Sequence, residues 1–490
     1  MFNKTFIKNL YGSIILGCLA ALSTPAYAAS NDAIMDLLKI LKAKGSITEE
    51  EYELLANQAR ADAEVVEDVK IQLEAKTKDM PTIDTKEKVA ITSKDGDFQW
   101  QFIGRLMADY HIAGSDIPAF DTTANSLAKI DTEGAFRRMR LGMQGKLWQH
   151  WIWKLEYDFS AESENALKDG YVGYEDVYSK GGWNVKIGQH HIPFGLATMS
   201  SSKYLTLLER PLMADGELQP SRQLGISGFV NGGEMWNFQA GVFGADEDPV
   251  SDPNTFEELN IAARATFNPY IKDKTHLLHL GGAVWYKDPN DTALRIRQRP
   301  GVIRSSDNRF IDANFGTGLT DDVLAFNAEA LTVWGPFHLQ GEYTHWDVSP
   351  KTSTSFSTTN TGDVTLEGYY VDASFFLTGE SMNFKTAEGL FSGVKPFGVV
   401  GKGGIGAWQV ALRYDVMDLN DFATGTGTGI MGGREADFRV GLKWYPTSTL
   451  NFMADYVTVL DLDRPGCTTL ACPFDGSEPD SFNLRALVYW

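Results

Sequence analysis

The sequence predicts an all-β protein: a 16-stranded antiparallel transmembrane β-barrel with a short N-terminal α-helical segment. Three observations lead there. The 490 residues hold 47 Gly, 12 Trp, 18 Tyr and 28 Phe, yet no repeated apolar runs of the roughly 18 residues that a helical membrane protein needs. From Asp97 onward, segment after segment alternates with period two, and the second face is charged, not merely polar. The connections between these segments alternate between short and long. Gly eases tilted strands, aromatics sit at lipid interfaces, and a water-filled lumen holds charges that a small packed core cannot.

Composition removes other classes. Aromatic content of 12% is too rich for a disordered chain. Lys and Arg number 44 against 64 Asp and Glu, a net charge of −20, and a pI near 4.9 argues against nucleic acid as a partner.

Residues 1–29 read as a signal peptide. Lys4 and Lys8 give a basic start, residues 10–22 are apolar, and Ala26-Tyr27-Ala28 is an A-x-A cleavage site. Ile15-Leu16-Gly17-Cys18 also loosely resembles a lipobox, but cleavage there leaves a very short apolar core. Residues 30–80 read as a helical segment for the periplasm. Gly45-Ser46 interrupts it, and Thr48 with Glu51 forms a capping box that starts a second helix. Tyr52, Leu55, Ala59, Val66, Val69 and Leu73 follow 3-4 spacing, with Asp62 breaking the seam. Coiled-coil association and a lone amphipathic helix both remain open. A polar linker covers 81–95, and the barrel occupies 96–490.

In the first strand Phe98, Trp100, Phe102, Leu106, Ala108 and Tyr110 share one parity, and Gln99, Gln101, Arg105, Asp109 and His111 the other. Similar strands begin near 97, 136, 151, 166, 183, 222, 235, 258, 276, 321, 337, 367, 407, 434, 450 and 482. Connections after strands 1, 5, 9, 11, 13 and 15 are long. Those after 2, 6, 10 and 14 are short, as at Gln149-His150 and Gly335-Pro336. Short periplasmic turns and long outer loops are the outer-membrane arrangement. A long connection at about 378–406, on the periplasmic side, breaks the rule. Cys467 and Cys472 share one predicted loop and could close a small disulfide in an oxidising compartment. A metal site there would need two further ligands, and none is evident. His190-His191 face opposite ways on a strand, which argues against a shared ion.

Several stretches carry a family resemblance. They are Phe136-Arg137-Arg138-Met139-Arg140-Leu141-Gly142, Leu167-Lys168-Asp169-Gly170-Tyr171-Val172, Pro193-Phe194-Gly195-Leu196, Ser201-Ser202-Lys203-Tyr204-Leu205, Leu208-Glu209-Arg210 and Pro220-Ser221-Arg222-Gln223-Leu224-Gly225. In this order the chain resembles the phosphate-selective porin O/P family, densely over 136–230 and more loosely beyond. The resemblance implies a homotrimer in the outer membrane of a Gram-negative bacterium, without cofactor or catalysis. It implies a third outer loop folded inward and an arginine ladder collecting phosphate or other small anions. The C-terminal strand ending in Trp490 is of the kind the barrel-assembly machinery receives.

The ladder maps onto Arg295, Arg297, Arg299 and Arg304. An extended strand puts the first three on one side, although Asp288, Asp291, Asp307 and Asp312 could pair with them instead. The third outer loop, 191–221, supplies Lys203 and Arg210, with Arg222 at its far end. Parity turns Arg138, Arg140 and Asp169 into the lumen, where Glu156 or Asp158 could neutralise the arginines. Competing readings are a general diffusion porin for other small polar solutes and an outer-membrane tether or adhesin acting through its helices. An enzyme would need a Ser-His or paired-carboxylate site on the wall, and no such spacing occurs.

Overall fold

The computed structural model describes residues 24–490 except 78–79, 114–117, 122–125, 130–131, 162–165, 177–181, 245–257, 291, 299–308, 352–362, 424–427 and 466–474. It divides into two compact units, 1–81 and 82–490.

The first unit is a pair of helices, α1 (Thr24–Ala43) and α2 (Glu49–Thr77). The capping box forms: Thr48 N donates to Glu51 Oε2 at 2.8 Å, and Glu51 N donates back to Thr48 Oγ1 at 3.3 Å. Both orphan donors at the start of α2 are thereby satisfied. Leu38, Ala56 and Ala59 are buried, whereas Leu37, Ile40, Leu54, Val65, Val69 and Ile71 are exposed.

In the second unit sixteen long strands close into a ring. They are β1 (Phe98–Ala113), β2 (Glu133–Leu147), β3 (Trp151–Asp158), β4 (Leu167–Glu175), β5 (Trp183–His191), β6 (Arg222–Asn231), β7 (Trp236–Gly244), β8 (Leu259–Asp273), β9 (His276–Asp288), β10 (Thr320–Trp334), β11 (Phe337–Pro350), β12 (Val364–Phe376), β13 (Ala407–Ala423), β14 (Thr428–Tyr445), β15 (Leu450–Asp463) and β16 (Asp480–Tyr489). Every neighbouring pair is antiparallel, and β16 pairs β1 with Leu484 opposite Tyr110. Closure leaves no open edge among the sixteen, the condition for crossing lipid with strands. The expected starts hold to within a few residues. The main change is at β13 and β14, which run on as a longer hairpin, so the long connection expected there shrinks to residues 424–427.

The two parities separate as the alternation requires. Trp100, Trp151, Trp236, Trp334, Leu412 and Val440 are exposed on the outside, while Arg105, Asp109, Arg413, Asp437 and Arg439 are buried within. The segment read as a polar linker instead holds two short strands, Thr82–Asp84 and Val89–Thr92. The second pairs β1 over Gln99 to Phe102.

The interior is not an empty bore. Three insertions occupy it. The connection 192–221 after β5 carries short helical turns at Leu196–Met199 and Leu212–Asp215. The connection after β9 forms a ribbon of Ala293–Gln298 against Ile311–Thr317. The long connection after β12 sends in the hairpin Asn383–Lys385 and Leu390–Ser392. Leu212, Leu294, Ile296, Ile311 and Phe315 pack on inward Trp346, Val348, Leu366 and Met417 in one apolar cluster. Phe384 and Phe391 pack with Leu277, Leu331 and Phe376 in another. Much of the inner face of β9–β15 is thus covered, and the remaining space lies mainly along β2–β7.

Candidate functional site

Carboxylates on the barrel wall anchor the 192–221 loop. Glu342 on β11 accepts Leu196 N at 2.9 Å and Ala197 N at 2.7 Å. Asp455 on β15 accepts Leu208 N at 2.7 Å, and Asp415 on β13 accepts Leu212 N at 2.8 Å. Lys443 Nζ and Arg413 Nη1 donate to the loop carbonyls of Leu205 and Glu209 at 2.7 and 2.9 Å. Buried polar groups must be matched, and here opposite strands of the wall supply the matches for a loop that crosses the lumen.

Glu209 is the hub. Its carboxylate accepts Arg137 Nε at 2.8 Å and Arg485 Nη2 at 2.5 Å, with Arg138 Nη2 at 3.6 Å. Burial opposes its ionisation, but Arg137, Arg485 and Arg138 hold the carboxyl well below the ordinary range. Arg137 reaches it because β2 bulges there: Met107 pairs Arg138 and Ala108 pairs Phe136, leaving Arg137 unopposed. Parity alone turns Arg137 outward. The bulge brings it in beside Arg138, so all three arginines of the motif face the loop or the lumen.

Two cavities stand out among the described residues. The first, of about 740 Å³, is lined by ten Arg or Lys side chains against five Asp or Glu among the described residues. Arg138, Arg140, Arg210, Arg222, Arg295 and Arg297 are among them, which places six of the sequence-predicted residues on one surface. The second, of about 530 Å³, lies toward the end that holds Trp490 and is balanced, with Arg105, Lys154, Lys186 and Arg222 against Asp169, Glu175, Asp176 and Glu388. Arg222 and His191 belong to both linings.

The partners of these cations differ. Arg140 is neutralised by Asp158 at 2.8 Å and Glu156 at 3.1 Å. Arg222 and Lys154 grip Asp169 from both sides at 3.1 and 2.6 Å. Arg295 lies against Asp312 with contacts of 2.8 and 2.5 Å. Arg297 is exposed on the same ribbon face and makes no ion pair among the described residues. Arg210 donates only to main-chain carbonyls, of Ala197 at 2.8 Å, Ser200 at 2.6 Å and Thr198 at 3.4 Å. It has no carboxylate partner among the described residues. Burial, then Arg222 and Arg140, draw its pKa down to about 9, which still leaves it charged at neutral pH.

Lys203 is the exception, lining neither cavity. Its ammonium sits 5.5 and 5.3 Å from the ring centres of Tyr204 and Tyr489. Burial, helped by the charges of Arg105 and Lys154, pulls its pKa down to about 7. Protonated below that value and neutral above it, Lys203 adds a cation to the pore field only on the acidic side. Anion preference is therefore expected to fall as pH rises from 6 to 8. Lys203→Met should remove that step, as measured by reversal potential at fixed salt gradient. Arg299, Arg304, Cys467 and Cys472 lie outside the described residues.

Sequence reasoning missed Arg137, Glu209 and the loop anchors Glu342, Arg413, Lys443 and Arg485. Glu209 was readable only as part of a motif. The anchors carry no local signal, because their partners are main-chain atoms more than a hundred residues away.

The comparisons with known proteins bear on this barrel. The family model for phosphate-selective porin O and P matches residues 106–469. Porin O of Pseudomonas aeruginosa is 29% identical over 403 residues, covering 76% of this chain and 86% of that one. An uncharacterized protein of Caulobacter vibrioides is 30% identical over 348 residues, covering 68% of this chain and 64% of its own length, just under two thirds. Among solved structures, an anion-selective porin from Comamonas acidovorans aligns with a TM-score of 0.46 at 11% identity, over 80% of this chain and 100% of that one. The outer membrane channel DcaP of Acinetobacter baumannii aligns with a TM-score of 0.45 at 12% identity, over 81% and 99%.

Proposed function

Since the chain belongs to the phosphate-selective porin O and P family, a family of non-enzymatic outer-membrane β-barrel porins, we propose that this porin is an anion-selective channel for phosphate or polyphosphate. The observation that carries the reading is the first cavity: a two-to-one excess of cations in a chain whose net charge is −20. Overall charge sets the far field, and lumen charge sets selectivity.

The route has a physical order. Arg295 and Arg297 on the ribbon meet the anion first. It then passes Arg138 and Arg140 on β2 toward Arg210 and Arg222. Each guanidinium offers a planar fork that replaces lost water on phosphate oxygens. Most of these forks already hold a carboxylate, so they bind an anion weakly and let it move on. Arg210, which makes no contact ion pair among the described residues although Glu209 and Asp215 lie in its field, is the strongest single stop, and Asp169 beyond Arg222 discourages a deep trap. The Trp490 end, with its short turns, faces the periplasm in this reading, and the N-terminal helices belong to that compartment. The exposed apolar residues of α1 and α2 associate between copies in a homotrimer, after removal of residues 1–29.

Reversal potential in a chloride gradient, followed by phosphate titration, tests the reading. Anion preference with saturable block by phosphate supports it. Cation preference without block overturns it and leaves the porin. Arg295→Glu with Arg297→Glu should lower anion preference several-fold, since both lie on an exposed ribbon face and neither holds the barrel together. Passage of other small polar solutes is the second reading, favoured by the charge balance of the second cavity. It predicts equal liposome swelling by neutral and anionic solutes of one size.

A further inference from the structure

The long connection between β12 and β13 has two halves. One is the hairpin in the lumen. The other, residues 395–406, meets the outside of the wall. Trp444 faces outward from β14, stacked between Trp408 at 5.3 Å and Phe452 at 5.6 Å. Its indole Nε1 donates to Ile405 O at 2.9 Å. The loop therefore abuts the lipid-facing aromatic band.

This loop is held in shape. Gly406 N donates to Gly398 O at 2.9 Å, Lys402 N and Gly404 N each donate to Val399 O at 3.1 Å, and Val400 N donates to Pro446 O at 3.0 Å. The buried carboxylate of Glu380 accepts Phe397 N at 2.9 Å. Its two arms run so close that a side chain at Gly398 would meet Gly404 Cα at 2.9 Å. Yet Phe397 is 78% exposed and Ile405 69%, beside Leu377 at 59% on the adjoining end of β12. Lys402 at the tip is exposed and makes no ion pair among the described residues.

A preshaped loop that displays large apolar side chains marks an interaction surface. Its continuity with Leu377, Trp408 and Trp444 selects the occupant. We infer that residues 397–405 are an interfacial anchor that dips into the adjacent phospholipid leaflet, with Phe397 and Ile405 among acyl chains and Lys402 at the phosphates. Lys snorkelling beside apolar neighbours at a bilayer surface follows the same physics. The hairpin on the same connection lines the second cavity with Ala387, Glu388 and Leu390. The anchor thus moors the base of a pore-lining element to the bilayer. The inference rests on the barrel's place in a membrane and not on which ion it passes.

The test uses the full chain reconstituted in phosphatidylethanolamine and phosphatidylglycerol vesicles, with all three native cysteines replaced: Cys18→Ser, Cys467→Ser and Cys472→Ser. An environment-sensitive NBD fluorophore is attached at Phe397→Cys and, in parallel, at Ile405→Cys. The control is Lys274→Cys in the exposed turn between β8 and β9. Blue-shifted emission, with nitroxide-lipid quenching at least threefold above the control and little quenching by aqueous iodide, is the expected result. Ready quenching by iodide would place the loop in water and overturn the inference. Protection from both quenchers would mean that a neighbouring copy of this chain covers it, and would overturn it equally. Either labelled site alone suffices if the other variant does not fold.

Discussion

Replacing Arg210 with glutamine is expected to weaken phosphate block at least tenfold, roughly 1.4 kcal/mol of binding free energy, and to lower the anion-to-cation permeability ratio. Among the described cations of the first cavity, Arg210 is distinctive in being rigidly held by main-chain carbonyls while making no contact ion pair, with Glu209 and Asp215 acting on it only at longer range. Its guanidinium is fixed by the carbonyls of Ala197, Thr198 and Ser200, so little entropy remains to be lost on binding. Arg140, by contrast, already faces Asp158 and Glu156. Arg140→Gln should change block less than Arg210→Gln. Arg210→Lys keeps the charge but loses the fork, and should fall between wild type and glutamine. Single-channel conductance over a phosphate titration reads all three. Equal block in wild type and Arg210→Gln would sink the assignment.

The second large effect is structural. Glu209→Gln leaves Arg137, Arg138 and Arg485 facing one another without their shared carboxylate. Breaking a buried ionic cluster from one side costs about 3–5 kcal/mol, and here the cost falls on the loop that narrows the lumen. The barrel's own ladder of hydrogen bonds is untouched. We expect a folded barrel whose heat-induced mobility shift occurs at lower temperature, with higher and noisier conductance and weaker anion preference. Asp215→Asn removes only the 3.2 Å contact to Arg137 and should do far less. A Glu209→Gln channel with native noise and native thermal behaviour would show that the loop is held elsewhere. The sign in pH is also set: Glu209 holds its charge to well below the usual carboxylate range. Its contribution is therefore present throughout the neutral region and is lost only in strong acid.

What could be read in the chain follows from what the membrane demands. Lipid requires an apolar row on every strand, so Trp151, Leu412 and Val440 announced their strands without reference to anything distant. The inner row is under no such uniform demand. Trp346, Val348 and Leu366 are inward yet apolar, because the ribbon after β9 packs on them, and no local pattern separates them from outward residues. Arg137 was hidden for a related reason: a single extra residue reverses parity, and a bulge has no fixed signature in sequence. The hairpin at Phe384 and Phe391 was opaque because its apolar residues follow neither helical nor strand period across the whole connection. The anchoring by Asp415 and Asp455 carried no local signal, because their partners, Leu212 N and Leu208 N, are 203 and 247 residues away.

The way the first strand is completed fixes how short a working barrel can be. Along β1, Arg105 to Ala113 zip to the C-terminal strand, Gly104 and Trp490 exchange their last backbone bonds at 3.2 Å, and Gln99 to Phe102 turn instead to Val89–Thr92. The seam is therefore stitched by two pieces, one from each end of the polypeptide. A protein trimmed to start at residue 96 would keep all sixteen staves but leave an unsewn notch of main-chain donors and acceptors at the lower rim. The compact unit that carries both pieces of the seam begins at Thr82.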